Sequence, residues 1–331
     1  MAIEMGLLDA IVKRKGESVD AQTLAHKINR DELLIVRIMR LLTVHGFCDE
    51  IGARQYRSNA NAELLNTPGM VGATRNMVEL LYPIGGKIKP LLRETKAAGQ
   101  APSDLHNPYK YTYGTSLFDY LEKDAEHKVY FDDWMSSRRA GFRREWFDLY
   151  PVQTRLVVGA DRSSEAVFLV DVAGGKGHDI SSLNSRFPGL PGRLIVQDLP
   201  RTFEDYVAPE GIEAMPHDIF TKQPIEGART YFFRSVFHDW SESHSREILA
   251  HTAHAMKPGY SKLLIEDLVL PDQGADMRQA SVDITMYFMP EGIERTAGQW
   301  KDLLEYAGLQ IIKIWSDESG MESVIEAELE A

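Results

Sequence analysis

Four short apolar runs, FLVDV, RLIVQD, TYFFRSVF and KLLIED, follow one another between residues 168 and 267 with helical segments between them. Runs of this length with no polar face are strands buried on both sides. Strands alternating with helices give a parallel sheet covered by helices on both faces, so the chain is expected to be α/β. At 331 residues, with 44% hydrophobic and 26% charged residues, it has ample material for such a core and is no disordered chain.

Upstream of that region the pattern is helical. VDAQTLAHKI and DELLIVRIMRLLTVHG read as helices, and FCDEIGARQYRSN reads as a small hairpin turning at Gly52. Helix, helix, hairpin is the outline of a winged helix, so DNA binding must be weighed. In DELLIVRIMRLL, however, eight of twelve residues are apolar, and residues 1–57 hold nine Lys/Arg against eight Asp/Glu. A DNA-reading helix needs one face free of hydrophobes and a basic surround. Packing or dimerisation is the better reading. The whole chain carries a formal charge of −12, which opposes nucleic acid and anionic membranes. A ligand-sensing DNA-binding regulator stays as the weaker alternative. One cysteine, Cys48, excludes an intrachain disulfide and a cysteine-rich metal site and fits a reducing, cytoplasmic setting. Charges such as Arg37 and Arg40 interrupt the best candidate membrane span, and acids stand in MAIEMGLLDA where a signal peptide would be basic.

A linker-like stretch, AAGQAPSDLHNPYK, leads to aromatic-rich helices in LFDYLEKDAEHKVYFDDWM and RREWFDLYP. These are connecting helices packed on the core, or the wall of an apolar ligand site using Phe131, Trp134 and Met135.

After FLVDV comes AGGKGHD, with Gly174, Gly175 and Gly177 in a tight strand-to-helix turn. A glycine loop alone is weak, because ordinary turns also use glycine. Asp198 strengthens it: it ends the next strand, where a carboxylate meets the ribose of an adenosine cofactor. Asp218, in MPHDIF, stands where it could accept from an adenine amino group. Turn glycines with helix-capping aspartates are the plainer account. An adenosine site suits a nicotinamide dinucleotide, hence an oxidoreductase, or S-adenosylmethionine. The loop departs from G-x-G-x-x-G, the pyrophosphate fingerprint. The chain also ends with LQIIKIW and ESVIEAELE around the hairpin signal SDESGM. A parallel sheet closed by an antiparallel hairpin is the expected ending of a Rossmann-like methyltransferase fold. Loop and ending both favour S-adenosylmethionine, whose sulfonium cation suits acidic surroundings.

TYFFRSVF runs into His238-Asp239-Trp240-Ser241-Glu242 and a helix. Asp239 and Glu242 have capping-box spacing, so the histidine could be incidental. Yet His238 stands at the carboxyl end of a parallel strand, on the rim of the proposed cofactor site. The helix N-terminus is expected to disfavour the imidazolium and keep the ring able to accept a proton. A phenol of pKa about 10 needs such a base. Glu266 ends KLLIED on the same rim, and Glu294 follows the helix DMRQASVDITMYFM; a carboxylate on the second ring nitrogen would fix the tautomer. His251 and His254 read as helix-surface residues, with no ligand set to complete a metal site.

DVAGGKG, VQDLP, HDIF, RSVFHDWS, LLIEDLVLP and ERT, in this order, resemble the plant and fungal small-molecule O-methyltransferases of the caffeic acid and sterigmatocystin groups. The resemblance covers almost the whole chain. It implies methyl transfer from S-adenosylmethionine to a hydroxyl of an aromatic or polyketide-like acceptor, with S-adenosylhomocysteine as product. It implies His238 as general base and Glu266 and Glu294 as assisting acids. It places cofactor contacts on Gly174, Gly175, Asp198, Asp218, Ile219 and Arg234, and acceptor contacts on Met135, Met286 and Met289. The implied organisation is a winged-helix-like dimerisation domain over 1–102, linking helices over 103–160 and a cofactor-binding domain over 161–331. A homodimer is expected. Two departures stand out. The family's first loop glycine is Ala173 here, tolerable if its φ is negative. The chain also begins inside what is usually an N-terminal helix, which reads as truncation relative to the family and leaves the dimer geometry open. Some fungal relatives keep fold and cofactor yet catalyse dehydration or pericyclic reactions. That is the main alternative, and the presence of the base and both glutamates favours methylation.

Overall fold

A computed structural model of the chain describes residues 1–97, 107–139, 144–204, 206–289, 292–317, 320 and 322–330. Most of the linker-like stretch and the tip of the terminal hairpin lie outside the described residues. Two compact units emerge: Met1–Lys89 with Phe118–Arg143, and Pro90–Leu117 with Arg144–Ala331. The boundaries therefore differ from 1–102, 103–160 and 161–331. Of the linking helices, Ala125–Arg139 packs on Pro68–Arg75 in the first unit. Trp146–Leu149 belongs to the second unit, where Trp146 stacks on Phe232 with ring centroids 4.7 Å apart. The helical pairing in the first unit is close because Gly69 and Gly72 have no Cβ to collide with Ser137 and the Tyr130 backbone.

The first unit begins with helices Leu7–Val12, Ala21–Lys27 and Glu32–Val44 and three short strands, β1 (Val19–Asp20), β2 (Cys48–Gly52) and β3 (Gln55–Ser58). The strands form an antiparallel sheet with β3 in the middle. Both expected helices start on aspartate caps: Asp20 accepts from Thr23 N–H at 2.7 Å and Asp31 from Leu34 N–H at 2.9 Å. Within Glu32–Val44 the residues Ile35, Val36, Ile38 and Met39 face the core, whereas Leu33, Leu41 and Val44 are exposed. The hairpin is present, but Gly52 closes β2, and the left-handed turn residue is Arg54 at φ 56°.

The second unit is built on β4 (Val167–Val172), β5 (Arg193–Asp198), β6 (Ile212–Pro216), β7 (Thr230–Arg234) and β8 (Lys262–Asp267). A short parallel pair follows, β9 (Val269–Leu270) and β10 (Arg295–Thr296), then β11 (Leu309–Ser316) and β12 (Ser323–Leu329). The large sheet runs in the order β11-β12-β8-β7-β4-β5-β6. The pairs among β4 to β8 are parallel, and β12 lies antiparallel between β8 and β11. This is the α/β sheet with an antiparallel ending that the sequence pattern implies. Every residue of β7 and of β8 is buried, as continuous apolar runs require. The order reverses beside β4, so a crevice opens beyond the carboxyl ends of the strands, where such sheets take ligands.

Candidate active site

The glycine loop leaves β4 at that crevice. A Cβ on Gly174 would overlap the buried carboxyl of Asp171, so only glycine lets the loop lie this close to its own strand. Ala173 adopts φ 57°, which corrects the expectation of a negative φ. It occupies a left-handed position that glycine would take at less cost. Asp198, at the end of β5, organises the same loop. Its Oδ2 accepts from Gly175 N–H at 2.8 Å, and its Oδ1 accepts from Leu199 N–H at 2.8 Å and the Thr202 hydroxyl at 2.7 Å. A carboxylate offers about four acceptor positions, so one remains for a ribose hydroxyl. Asp218 lies just beyond β6, exposed, with Oδ1 accepting from Phe220 N–H at 3.0 Å. Ile219 packs against the sheet's core, and Phe220 sits edge-on to Trp240 with centroids 4.8 Å apart.

His238 lies in a short turn, Phe237–Asp239, that follows β7. Its Nδ1 is 2.9 Å from Glu294 Oε1, a hydrogen bond between buried groups. Glu266 does not share this role. In the β7–β8 register Arg234 stands opposite Glu266, and the Arg234 Nε lies 2.9 Å from Glu266 Oε2. The same guanidinium pairs with Asp179, in the helix after the glycine loop. Successive strand residues point to opposite faces. With Glu266 turned to Arg234, Asp267 turns to His238, and its Oδ1 lies 3.7 Å from Nδ1. Asp239 Oδ1 is 3.6 Å from the other nitrogen, Nε2.

These charges reverse the expected titration of the ring. Burial opposes the imidazolium, but Asp239, Asp267 and Glu294 together outweigh it and push the His238 pKa up to about 10. The helix that was to keep the ring neutral starts at Glu242, and its cap is Ser241, so the Asp239–Glu242 capping box does not form. Asp267 is itself pushed up, by burial first and by the neighbouring carboxylate of Glu294, against the pull of His238 and Arg295.

Sequence reasoning missed three supporting residues. Gly292 packs on the His238 backbone, where a Cβ would overlap the carbonyl oxygen, and Ile293 N–H donates to that oxygen at 3.0 Å. Asp283 Oδ1 accepts from Glu294 N–H at 3.1 Å, pinning the acid to helix Met277–Phe288. Arg295 is buried and donates to the carbonyls of Phe237 at 2.8 Å and Trp240 at 3.2 Å, bracing the turn that holds His238. The signal for Asp267 was present as strand parity in KLLIED; those for Gly292 and Arg295 needed the packed fold.

A family model described as an O-methyltransferase domain matches residues 93–310. "Methyltransferase cfoC" of Aspergillus candidus is 35% identical over 335 residues, covering 98% of this chain and 82% of that one. The chain belongs to the S-adenosylmethionine-dependent small-molecule O-methyltransferases. Among solved structures, OxaC in complex with S-adenosylhomocysteine and oxaline superposes with a TM-score of 0.86 at 30% identity, covering 99% of this chain and 83% of that one. LepI in complex with S-adenosylmethionine superposes with a TM-score of 0.88 at 25% identity, covering 99% and 84%. As an O-methyltransferase the enzyme uses S-adenosylmethionine. The close-lying Gly174, the spare acceptor position on Asp198 and the acidic surround of His238 all fit an adenosine-bearing cation.

The predicted acceptor contacts of this O-methyltransferase fall in both units. Met286 and Met289 belong to the second, at the end of helix Met277–Phe288, and Met289 is buried there. Phe131, Trp134 and Met135 lie on helix Ala125–Arg139 of the first, where Phe131 sits edge-on to Trp134 with centroids 6.2 Å apart. His251 and His254 lie on helix Glu242–Ala255, where His254 is exposed and His251 is half-buried. His238 Nδ1 and the nearest Asp267 and Glu294 oxygens lie within 4.8 Å of one another, a spacing that would also suit a cation. The short contact to Glu294 instead reads as a proton held on Nδ1. Among the described residues no helix is long and apolar enough to cross a membrane.

Proposed function

We propose that the enzyme methylates a hydroxyl of an aromatic or polyketide-like small molecule, with His238 as general base. The observation that carries this is the hydrogen bond from Nδ1 to Glu294, which makes Nε2 the nitrogen that would take the hydroxyl proton once the ring is neutral. S-adenosylmethionine, held at Gly174, Gly175, Asp198 and Asp218, with Ile219 and Arg234 bracing that rim, supplies an electrophilic methyl on its sulfonium. The protein's part is proton handling. His238 takes the hydroxyl proton on Nε2, and the surrounding carboxylates stabilise the imidazolium that results. A sulfonium cation bound near this acid cluster would lower the ring's affinity for a proton and so let it act as a base. Met286 and Met289 are proposed to supply apolar surface to the acceptor in the second unit, and Phe131, Trp134 and Met135 are kept as acceptor-contact candidates of the first.

His238→Gln tests this reading. It should keep fold and cofactor affinity yet lower methylation about 10²–10⁴-fold, the usual worth of a positioned base. Full methylation by the folded variant would remove His238 from that role. A solved structure described as a pericyclic reaction enzyme, superposing with a TM-score of 0.88 at 25% identity, supports a second reading, a same-fold enzyme with a reaction other than methyl transfer. Consumption of acceptor with no S-adenosylhomocysteine formed would establish it.

The exposed Leu33, Leu41 and Val44 on helix Glu32–Val44 are proposed as a self-association face. Light scattering that finds only monomer at micromolar concentration would count against it. A cytoplasmic setting, argued from the single cysteine, and a lack of nucleic-acid binding, argued from charge, are proposed with it.

A further inference from the structure

Two amide side chains, Gln197 and Gln223, are buried against each other in the second unit, at 0% and 2% exposure. Each donates to the other: Gln197 Nε2 to Gln223 Oε1 at 2.9 Å, and Gln223 Nε2 to Gln197 Oε1 at 2.9 Å. Ile225 N–H donates to the same Gln223 oxygen at 3.1 Å, which settles the acceptor end of that amide and so orients both. An apolar pair filling the same space would cost the fold little, because a buried hydrogen bond adds little net stability once both partners have left water. What the amides add is direction.

That direction links the segments that carry the cofactor residues. Gln197 precedes Asp198 on β5, and its backbone carbonyl accepts from Gly174 N–H at 3.0 Å, so its main chain holds the glycine loop. Its side chain reaches the other way, to the loop after β6. In that loop Asp218, Thr221, Lys222 and Pro224 are exposed, and Gln223 is turned inward. The loop is folded around Asp218, whose Oδ1 accepts from Phe220 N–H at 3.0 Å and whose carbonyl accepts from Thr221 N–H at 2.9 Å. Ile219 and Phe220 pack on the core, but apolar contacts are non-directional.

We propose that the Gln197–Gln223 pair is a positioning device for adenine recognition: it ties the loop carrying Asp218 to the end of β5, so that Asp218 and Asp198 read the base and the ribose at one fixed separation. This rests on the reading of Asp218 as the acceptor of the adenine amino group. A carboxylate on a swinging loop is satisfied by water and gains little from the amino group. Held in place, it rejects a base that lacks that donor. Gln197 and Gln223 act through Asp218 and are positioning residues.

The test compares, by calorimetry on the full chain, the binding of S-adenosylhomocysteine and of S-inosylhomocysteine, in which a carbonyl oxygen replaces the amino group. The parent should prefer the adenosyl compound about tenfold or more, the worth of a charge-assisted hydrogen bond. In the double variant Gln197→Met/Gln223→Met, which fills the space without amides, the preference should fall to less than about a third of the parent's. A pair with a merely structural role would shift the melting temperature and leave the preference intact, so an unchanged preference in the folded variant overturns the proposal. If the double variant does not fold, hydrogen exchange in the cofactor-free parent decides. Protection of the Ile225 amide by about tenfold or more supports a loop tied down in advance, and exchange at the rate of an unstructured amide overturns it. A parent that binds both compounds equally overturns the adenine reading of Asp218 and the proposal with it. None of these measurements involves methyl transfer, so their failure is distinct from a failure of His238 as base.

Discussion

Gly292 lies flat against the backbone carbonyl of His238, and the next residue, Ile293, donates its N–H to that same oxygen. The contact joins the loop that ends in Glu294 to the turn that carries the base. It holds the carboxylate 2.9 Å from the ring. Gly292→Ala should therefore push the two segments apart and lower turnover by at least about tenfold, since catalysis is sensitive to misplacements of about 1 Å. Cofactor affinity should change little, because the glycine loop lies elsewhere on the rim. Turnover in Gly292→Ala equal to the parent's would show that the loop relaxes without moving Glu294.

Asp198 has a double task, bracing the loop through Gly175 and offering a remaining acceptor position to the ribose. Asp198→Ala should weaken S-adenosylmethionine binding by about 1–3 kcal/mol, the worth of a charge-assisted hydrogen bond. Calorimetry on the folded variant is the measurement, and unchanged affinity would take Asp198 out of the site.

Ala173 is held at φ 57°, where an L-residue costs about 1–2 kcal/mol relative to its ordinary conformations. Glycine removes that strain but adds freedom to the unfolded chain, an opposing effect of about 0.4–1 kcal/mol. Ala173→Gly should therefore raise stability modestly, by up to about 1 kcal/mol, read as an increase in the denaturation midpoint. A clear loss of stability would mean that the alanine methyl's packing against the core outweighs the strain.

His238 is pushed up to about 10 in the folded chain and returns to about 6.5 when unfolded. A raised folded pKa means that the native state binds the proton more tightly. The stability this contributes is fully present below about pH 6.5 and is lost as pH rises through about 10. Urea unfolding of the cofactor-free chain should show a steeper fall in stability between pH 6.5 and 10 for the parent than for His238→Gln. Parallel curves for the two proteins would contradict the charged, acid-paired ring.

The order of elements was legible in the sequence because it depends on local patterns. Apolar runs such as TYFFRSVF and KLLIED can be buried only as central strands, and the terminal hairpin is announced by its turn residues. The glycine loop, Asp198 and His238 were legible for a related reason: ligands meet a parallel sheet at its carboxyl ends, and those residues stand there in the linear order. What neighbours what across the sheet was not legible. Glu266 and Asp267 are adjacent, and both are plausible partners for a histidine. Only the β7–β8 register, with Arg234 opposite Glu266, sends one acid to the arginine and the other to the base. The charge on His238 was misread for the same reason. A helix N-terminus can be read from nearby sequence, whereas three carboxylates from the turn, β8 and the loop before β10 meet the ring only after folding. Their combined field in a buried site outweighs the cost of burial.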